Sequence, residues 1–223
     1  MGVRRAAAIG MGAWALGLVA SGGAEAHPHV FADSKMEIVG TADGKLSAIR
    51  NIWRFDELFS SSVVVDFDKN GNGKLDPDEL EAVGKTVLGS IAEWEFYTFV
   101  SIGKRDIKLH PPKEIRGLFD HGQLTLFFEM TPAEPVDLKK DKVTFSVYDE
   151  SYFVAFDFAD ENAYQLLDLP KTCTKSFTRP DPDADASEWM NSVSMLKPNQ
   201  QLPDDGVNFS QLLATRIDVS CAK

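Results

Sequence analysis

A chain of 223 residues, 43% hydrophobic and 26% charged, has the composition of an ordinary globular protein and is long enough to bury a sizeable core. Its formal net charge of −11 repels phosphate backbones and anionic headgroups, which argues against nucleic acid and acidic membrane as partners. With four histidines, two cysteines and no Gly-x-Ser-x-Gly elbow, the chain shows no constellation for hydrolysis, and the expectation is a protein that is not an enzyme.

The first 26 residues read as a secretory signal. Arg4 and Arg5 supply the positive start, Ala6 to Ala20 the apolar stretch, and Ala24-Glu25-Ala26 a small-x-small cleavage site. The stretch is short for a spanning helix, so no membrane insertion is expected after cleavage. The general and twin-arginine export routes are not distinguished by these residues.

Cleavage after Ala26 would start the mature chain at His27-Pro28-His29-Val30-Phe31. A terminal histidine offers an α-amine and a ring nitrogen that close a chelate ring on a metal, and His29 adds a third nitrogen. With an α-amine pKa of ~7.7–8.0 and an imidazole pKa of ~6.5, few protons need displacing near neutral pH. Pro28 lacks an N–H, so a copper motif built on deprotonated backbone amides is ruled out. The remaining donor set suits Zn, Cu or Ni. His110, His121 and Asp33 are candidates for a further ligand. The competing reading is a pair of solvated histidines at a frayed terminus.

Val30–Val39 and Lys45–Trp53 alternate as two strands joined at Thr41-Ala42-Asp43-Gly44. Next comes Asp68-Lys-Asn-Gly-Asn-Gly-Lys-Leu-Asp-Pro-Asp-Glu79, which has the spacing of an EF-hand calcium loop. Asp68, Asn70, Asn72 and Asp76 place side-chain oxygens at loop positions 1, 3, 5 and 9. Lys74 offers its carbonyl at position 7, and Glu79 is the bidentate carboxylate at position 12. Gly73 stands where the chain must turn sharply, and Leu75 is the inward apolar residue. Starting the frame at Asp66 puts Pro77 at position 12 and fails. Phe55, Leu58, Phe59 and Val63 before the loop, and Leu80, Val83, Val87, Leu88 and Ile91 after it, fall at helical spacing. The loop is single and neither helix carries a methionine, which favours a structural Ca2+ site over a sensor.

Beyond the loop the chain reads as short strands. Trp94–Ile102 alternates, Asp106–Leu109 returns, and Glu114–Phe119 and Gln123–Met130 join at a turn, Asp120-His121-Gly122. Val143–Tyr148, Tyr152–Phe158, Ala163–Leu167, Cys173–Thr178 and Thr215–Cys221 follow. A short helix is expected over Ser187–Leu196 and a helical turn over Phe209–Ala214. Asp149 lies in a turn between two aromatics. Cys173 and Cys221, an even count in an exported chain, suggest a disulfide. The expected fold is α+β, mainly an antiparallel β-sandwich with an inserted helix–loop–helix EF-hand unit at about 55–93. Residues 27–223 would form one β-rich domain.

Several segments together resemble a known bacterial family. They are His27-Pro28-His29-Val30-Phe31, Trp53-Arg54-Phe55-Asp56-Glu57-Leu58-Phe59, the loop itself, Val147-Tyr148-Asp149 with Tyr152-Phe153-Val154, and the ending from Leu212 to Cys221. That family is of unknown function, described as the periplasmic component of an ABC-type transport system, and is associated with nickel/cobalt-type permeases and zinc acquisition. The resemblance implies a periplasmic accessory protein that hands a divalent metal, with zinc foremost, to an inner-membrane permease. No run of βα units supports the two-lobed clamp of ordinary solute-binding proteins. Two alternatives stand beside it. One is a copper-binding protein or oxidase using a terminal-histidine brace, and the other is a calcium-dependent structural or interaction module.

Overall fold

The computed structural model describes residues 28–151, 153–181, 211 and 213–222. The signal segment, His27, the helix expected over 187–196 and most of the turn expected over 209–214 lie outside the described residues.

The chain opens on a hairpin, β1 (Val30–Gly40) and β2 (Leu46–Phe55). Gly44, at φ +84°, donates its N–H to the Thr41 carbonyl and closes the turn in a conformation that a side chain would strain. β1 alternates cleanly, with Val30, Ala32, Ser34 and Met36 inside and Phe31, Asp33 and Lys35 outside. Helix α1 (Glu57–Phe67), a nine-residue connection and helix α2 (Pro77–Ser90) follow. The remaining strands are β3 (Thr98–Ile102), β4 (Arg105–Asp106), β5 (Leu109–His110), β6 (Arg116–Asp120), β7 (Gln123–Pro132), β8 (Val143–Val147), β9 (Val154–Asp157), β10 (Tyr164–Leu167), β11 (Cys173–Thr178) and β12 (Arg216–Cys221).

These strands form two sheets. The larger runs β10-β1-β2-β7-β5, with β6 on β7 and β9 on β1; the smaller runs β11-β12-β8-β3-β4. The smaller sheet is antiparallel throughout. The larger one is mixed, because β1 pairs in parallel with both β9 and β10. The expectation of an antiparallel arrangement is corrected there. Parallel pairing needs a long crossover rather than a tight turn, and alternation within a strand carries no trace of it. The mostly-β, α+β class holds.

One core serves both sheets. Trp53, Met36, Ile49, Leu124 and Leu126 of the larger sheet join Phe145, Ile217 and Val219 of the smaller in a single buried cluster. The Asn51 amide of β2 donates to the Thr98 hydroxyl of β3 across the interface, 3.1 Å away and buried. Helices α1 and α2 cover the part of the larger sheet that carries Val30, Phe55 and Leu124. Ser60 of α1 is pinned there, accepting the Leu124 N–H at 3.0 Å. Gly84 of α2 lies so close to the Ile115 carbonyl that a Cβ would stand 2.0 Å from its oxygen.

Two local expectations change. Trp94–Tyr97 is not strand but the end of a 3₁₀ turn over Ala92–Tyr97. Glu95, Phe96 and Tyr97 have φ near +50°. The left-handed conformation costs about 1–2 kcal/mol per residue. Burial of Phe96 in the core and packing of Tyr97 against Trp53 and Phe156 offset it. Leu58, read as part of the apolar stripe of α1, is 81% exposed. Cys173 and Cys221 are direct partners across β11 and β12 and form a disulfide. Among the described residues no helix is long and apolar enough to cross a membrane.

Candidate metal site

The connection between the helices folds around its own side chains. Asp68 ends α1, its N–H still bonded to the Val64 carbonyl. Its Oδ1 accepts the Gly71 N–H at 2.7 Å and the Asn72 N–H at 3.2 Å, and its Oδ2 accepts the Gly73 N–H at 2.7 Å. Gly71 and Gly73 adopt φ of +72° and +75°, which lets successive amides face one carboxylate. Local desolvation works against the charge on Asp68, but the amides of Gly73, Gly71 and Asn72 outweigh it and hold the carboxyl below the ordinary carboxylate range.

Asn70 and Asn72 meet on a single atom. Their Nδ2 groups donate to Asp76 Oδ2 at 2.7 and 2.8 Å. Side chains from positions 70, 72 and 76 therefore point into one small space, beside Asp68. Leu75 is 5% exposed and anchors the connection to the core. Glu79, in the first turn of α2, is 1% exposed. Its Oε1 accepts the Lys69 N–H at 2.7 Å and its Oε2 the Asp76 N–H at 2.9 Å. The second bond is half of a capping box at the start of α2, where Pro77 occupies the first turn. Lys74 is exposed and donates its N–H to Asn72 Oδ1 at 2.9 Å. Among the described residues, Asp68, Asp76 and Glu79 have no Lys or Arg ion partner. No group of three His, Cys, Asp or Glu is gathered for a metal among the described residues. Two of the five side-chain donors here are asparagines, and the Glu79 oxygens are turned to backbone amides.

The second predicted site is split by the limits of the described chain. His29 is present and exposed, and His27 lies outside the described residues. The His29 N–H donates to the Phe153 carbonyl at 3.0 Å, and the two rings are 5.3 Å apart. Register ranks the three candidates for a further ligand. β1 and β7 both pair with β2, and Asp33 and Thr125 both oppose Arg54. Those partners put His29, just before β1, and the β6–β7 turn that holds His121 at the same end of the sheet. His121 sits in the β6–β7 turn at φ +50°, 90% exposed, with its Nδ1 2.7 Å from Asp120 Oδ2. His110 pairs opposite Thr131, roughly 27 Å along β7 from Gln123, at the far end of the sheet. Asp33 is ion-paired with Arg54 at 2.6 Å. The structure therefore brings His121 to the His29 end and removes His110 from it.

Two acidic residues carry more than sequence reasoning assigned them. Asp56 Oδ1 caps α1 through the Phe59 N–H, and its Oδ2 accepts the Phe31 N–H, both at 2.9 Å. It ties the first strand to the helix that leads into the loop. An Asp immediately before a helical stretch was the available signal. Asp149 is 3% exposed and satisfied by Ser151 N–H, Ser151 Oγ and Val154 N–H, so it holds the β8–β9 turn rather than lining a site.

Residues 12–221 match the family described as "Protein of unknown function (DUF1007)". An uncharacterized protein of Haemophilus influenzae is 28% identical over 200 residues, covering 88% of this chain and 93% of the relative. An uncharacterized 15.5 kDa protein in the trpE 3′ region of Spirochaeta aurantia is 26% identical over 99 residues, 43% of this chain and 68% of that one.

Proposed function

Because the chain belongs to the DUF1007 family, whose description carries no function, we propose a role from its own chemistry: an exported metal-binding protein braced by calcium at an EF-hand loop. The observation that supports the calcium part is the convergence of Asn70, Asn72 and Asp76 on one space beside Asp68, with Glu79 at its edge. The donor set fits the ion. Every ligand is a hard oxygen, three carboxylates bring uncompensated charge, and rotating the Asn70 and Asn72 amides exchanges nitrogen for oxygen. Asp68, Asn70, Asn72, the Lys74 carbonyl, Asp76 and Glu79 would hold it. Calcium supplies no chemistry here beyond charge. It clamps the C-terminal end of α1 to the start of α2.

The wider role is periplasmic handling of a divalent transition metal, with zinc the leading candidate and an inner-membrane permease the receiver. Export is supported by the disulfide, which persists in oxidising compartments. Metal capture at the tip by His27 and His29 is supported by the exposure of His29 and by the place of His121 at the same end of the sheet. The contact of His121 Nδ1 with Asp120 leaves Nε2 as the free donor, the arrangement in which a carboxylate orients a ligating imidazole.

The test is calorimetric titration of protein processed to a native His27 terminus. Calcium is expected to bind with one-to-one stoichiometry, and Asp68→Ala to abolish it. Zinc is expected to bind at a second site, weakened about tenfold or more by an added N-terminal Met or by His29→Ala. Calcium binding with zinc affinity indifferent to both changes would leave the calcium-dependent structural module. Redox turnover with copper would move the reading to a terminal-histidine brace.

A further inference from the structure

A cavity of about 330 Å³ lies between the helix pair and the larger sheet. Its walls are apolar: Phe59, Val63 and Phe67 from α1, Val83 and Val87 from α2, and Trp53 from β2. On each helix these residues recur four apart because one face looks toward the sheet. The two helices share few contacts with each other, so the space between them is not closed by their own side chains. A space of this size holds roughly ten water-sized volumes at ~30 Å³ each. Its walls forgo contacts that a guest would restore.

The rim is built differently from the walls. Ser62 and Asp66 stand one turn apart on α1, and Thr86 and Ser90 one turn apart on α2, all exposed. Among the described residues no lysine, arginine or histidine lines the cavity. Asp66 makes no hydrogen bond or ion pair among the described residues. The larger groove on the outer face of the sheet contrasts with this. There Arg50 is tied to Glu37 and Glu129, and Arg116 to Glu114, and Lys113 adds a further cation to the lining.

We infer that the cavity binds a slim apolar molecule of about ten non-hydrogen atoms carrying one cationic ammonium head, with the apolar body between the helices and the head at Asp66. Anionic amphiphiles are excluded by the lone rim carboxylate, which a carboxylate head would face unpaired. Charge complementarity selects the ammonium over the alcohol of equal length.

The probe is n-octylammonium, whose amine, like that of lysine at ~10.4, is protonated at pH 7. It is titrated into the full chain, with 1-octanol and n-octanoate as comparisons, in calcium and again in EGTA. Saturable one-to-one binding of octylammonium in either buffer supports the site, and the EGTA arm separates it from the fate of the calcium reading. Octanol is expected to bind about tenfold more weakly and octanoate not at all. Asp66→Asn, an exposed change that leaves the core intact, should bring octylammonium down to the octanol level and leave octanol unchanged. Val87→Phe should fill the cavity and abolish both, with circular dichroism as the check on folding. Octanoate binding as tightly as octylammonium, an Asp66→Asn protein with unaltered preference, or no saturable binding would each overturn the inference.

Discussion

Replacing Glu79 by Gln separates the two roles assigned to that side chain. Without calcium, the carboxylate accepts two backbone N–H groups, from Lys69 and Asp76, in a site 1% exposed. Hydrogen bonds to a charged acceptor contribute about 1.5–3 kcal/mol each. Glutamine keeps one oxygen, but its NH₂ then faces an N–H, so one bond is lost and the other loses its charge. The expected loss is about 2–3 kcal/mol, or roughly 5–10 °C in Tm for a chain of this size. With calcium at a hundred times its Kd, the wild-type protein should gain about 2.7 kcal/mol, a rise of roughly 5–11 °C. The variant lacks the bidentate anion and should gain almost nothing at the same concentration. Differential scanning calorimetry with EGTA and with calcium gives all four midpoints. A variant that loses stability in EGTA yet keeps the full calcium-induced rise would show that Glu79 is a capping residue and no ligand. The frame assigned to the loop would then be wrong.

Asp56→Ala should cost about 1–2 kcal/mol, read as a urea midpoint, because the cap on Phe59 and the tie to Phe31 go together. Acid should act on the same residue: burial pushes the Asp56 carboxyl up, but the N–H groups of Phe59 and Phe31 prevail and hold it below the ordinary range. A depressed folded pKa gives stability that is present above the unfolded value of ~3.9 and lost as pH falls through the folded one. Urea midpoints between pH 2 and 6 should therefore fall less steeply below about pH 4 in Asp56→Asn than in wild type. Reducing the Cys173–Cys221 bond opens a loop of 48 residues, and denaturation with and without reductant should differ by up to ~4 kcal/mol. Hydrogen exchange should then rise first in β11, the edge strand that the bond staples to β12. Gly84→Ala tests packing against propensity. Alanine gains about 1 kcal/mol in a helix. The clash with the Ile115 carbonyl should outweigh that gain, since overpacking costs about 1–3 kcal/mol. A more stable variant would refute the contact.

The local conformation of residues 68–79 was legible because its demands are local. Gly73 needs positive φ, Leu75 must turn inward and Asp76 must start a helix, and each demand sits on a single residue whose surroundings are its own neighbours. The β1–β2 hairpin was legible for the same reason, from alternation and a glycine turn. What escaped depends on partners distant in sequence. Nothing in Val154–Asp157 or Tyr164–Leu167 tells that both lie parallel to β1. Trp94–Tyr97 alternates like a strand, but the chain there must leave α2 and bury Phe96, and tertiary packing overrode the pattern.

The histidines show the same division most sharply. In the sequence, His110 and His121 are equivalent, each beside a turn or a proline. The shared partner Arg54 is what sets Asp33 level with Thr125, and so puts His29 and the His121 turn at one end of the sheet. β2 is therefore the ruler of the molecule. Its far end turns directly into Asp56, and Asp56 holds both Phe31 and the first turn of α1. The start of β1 and the connection over residues 68–76 then stand at opposite ends of one eleven-residue helix. The near end of that helix is fixed to the sheet by Ser60 and Asp56, so an ion bound at the far end would act on an anchored helix. That arrangement favours a brace over a switch.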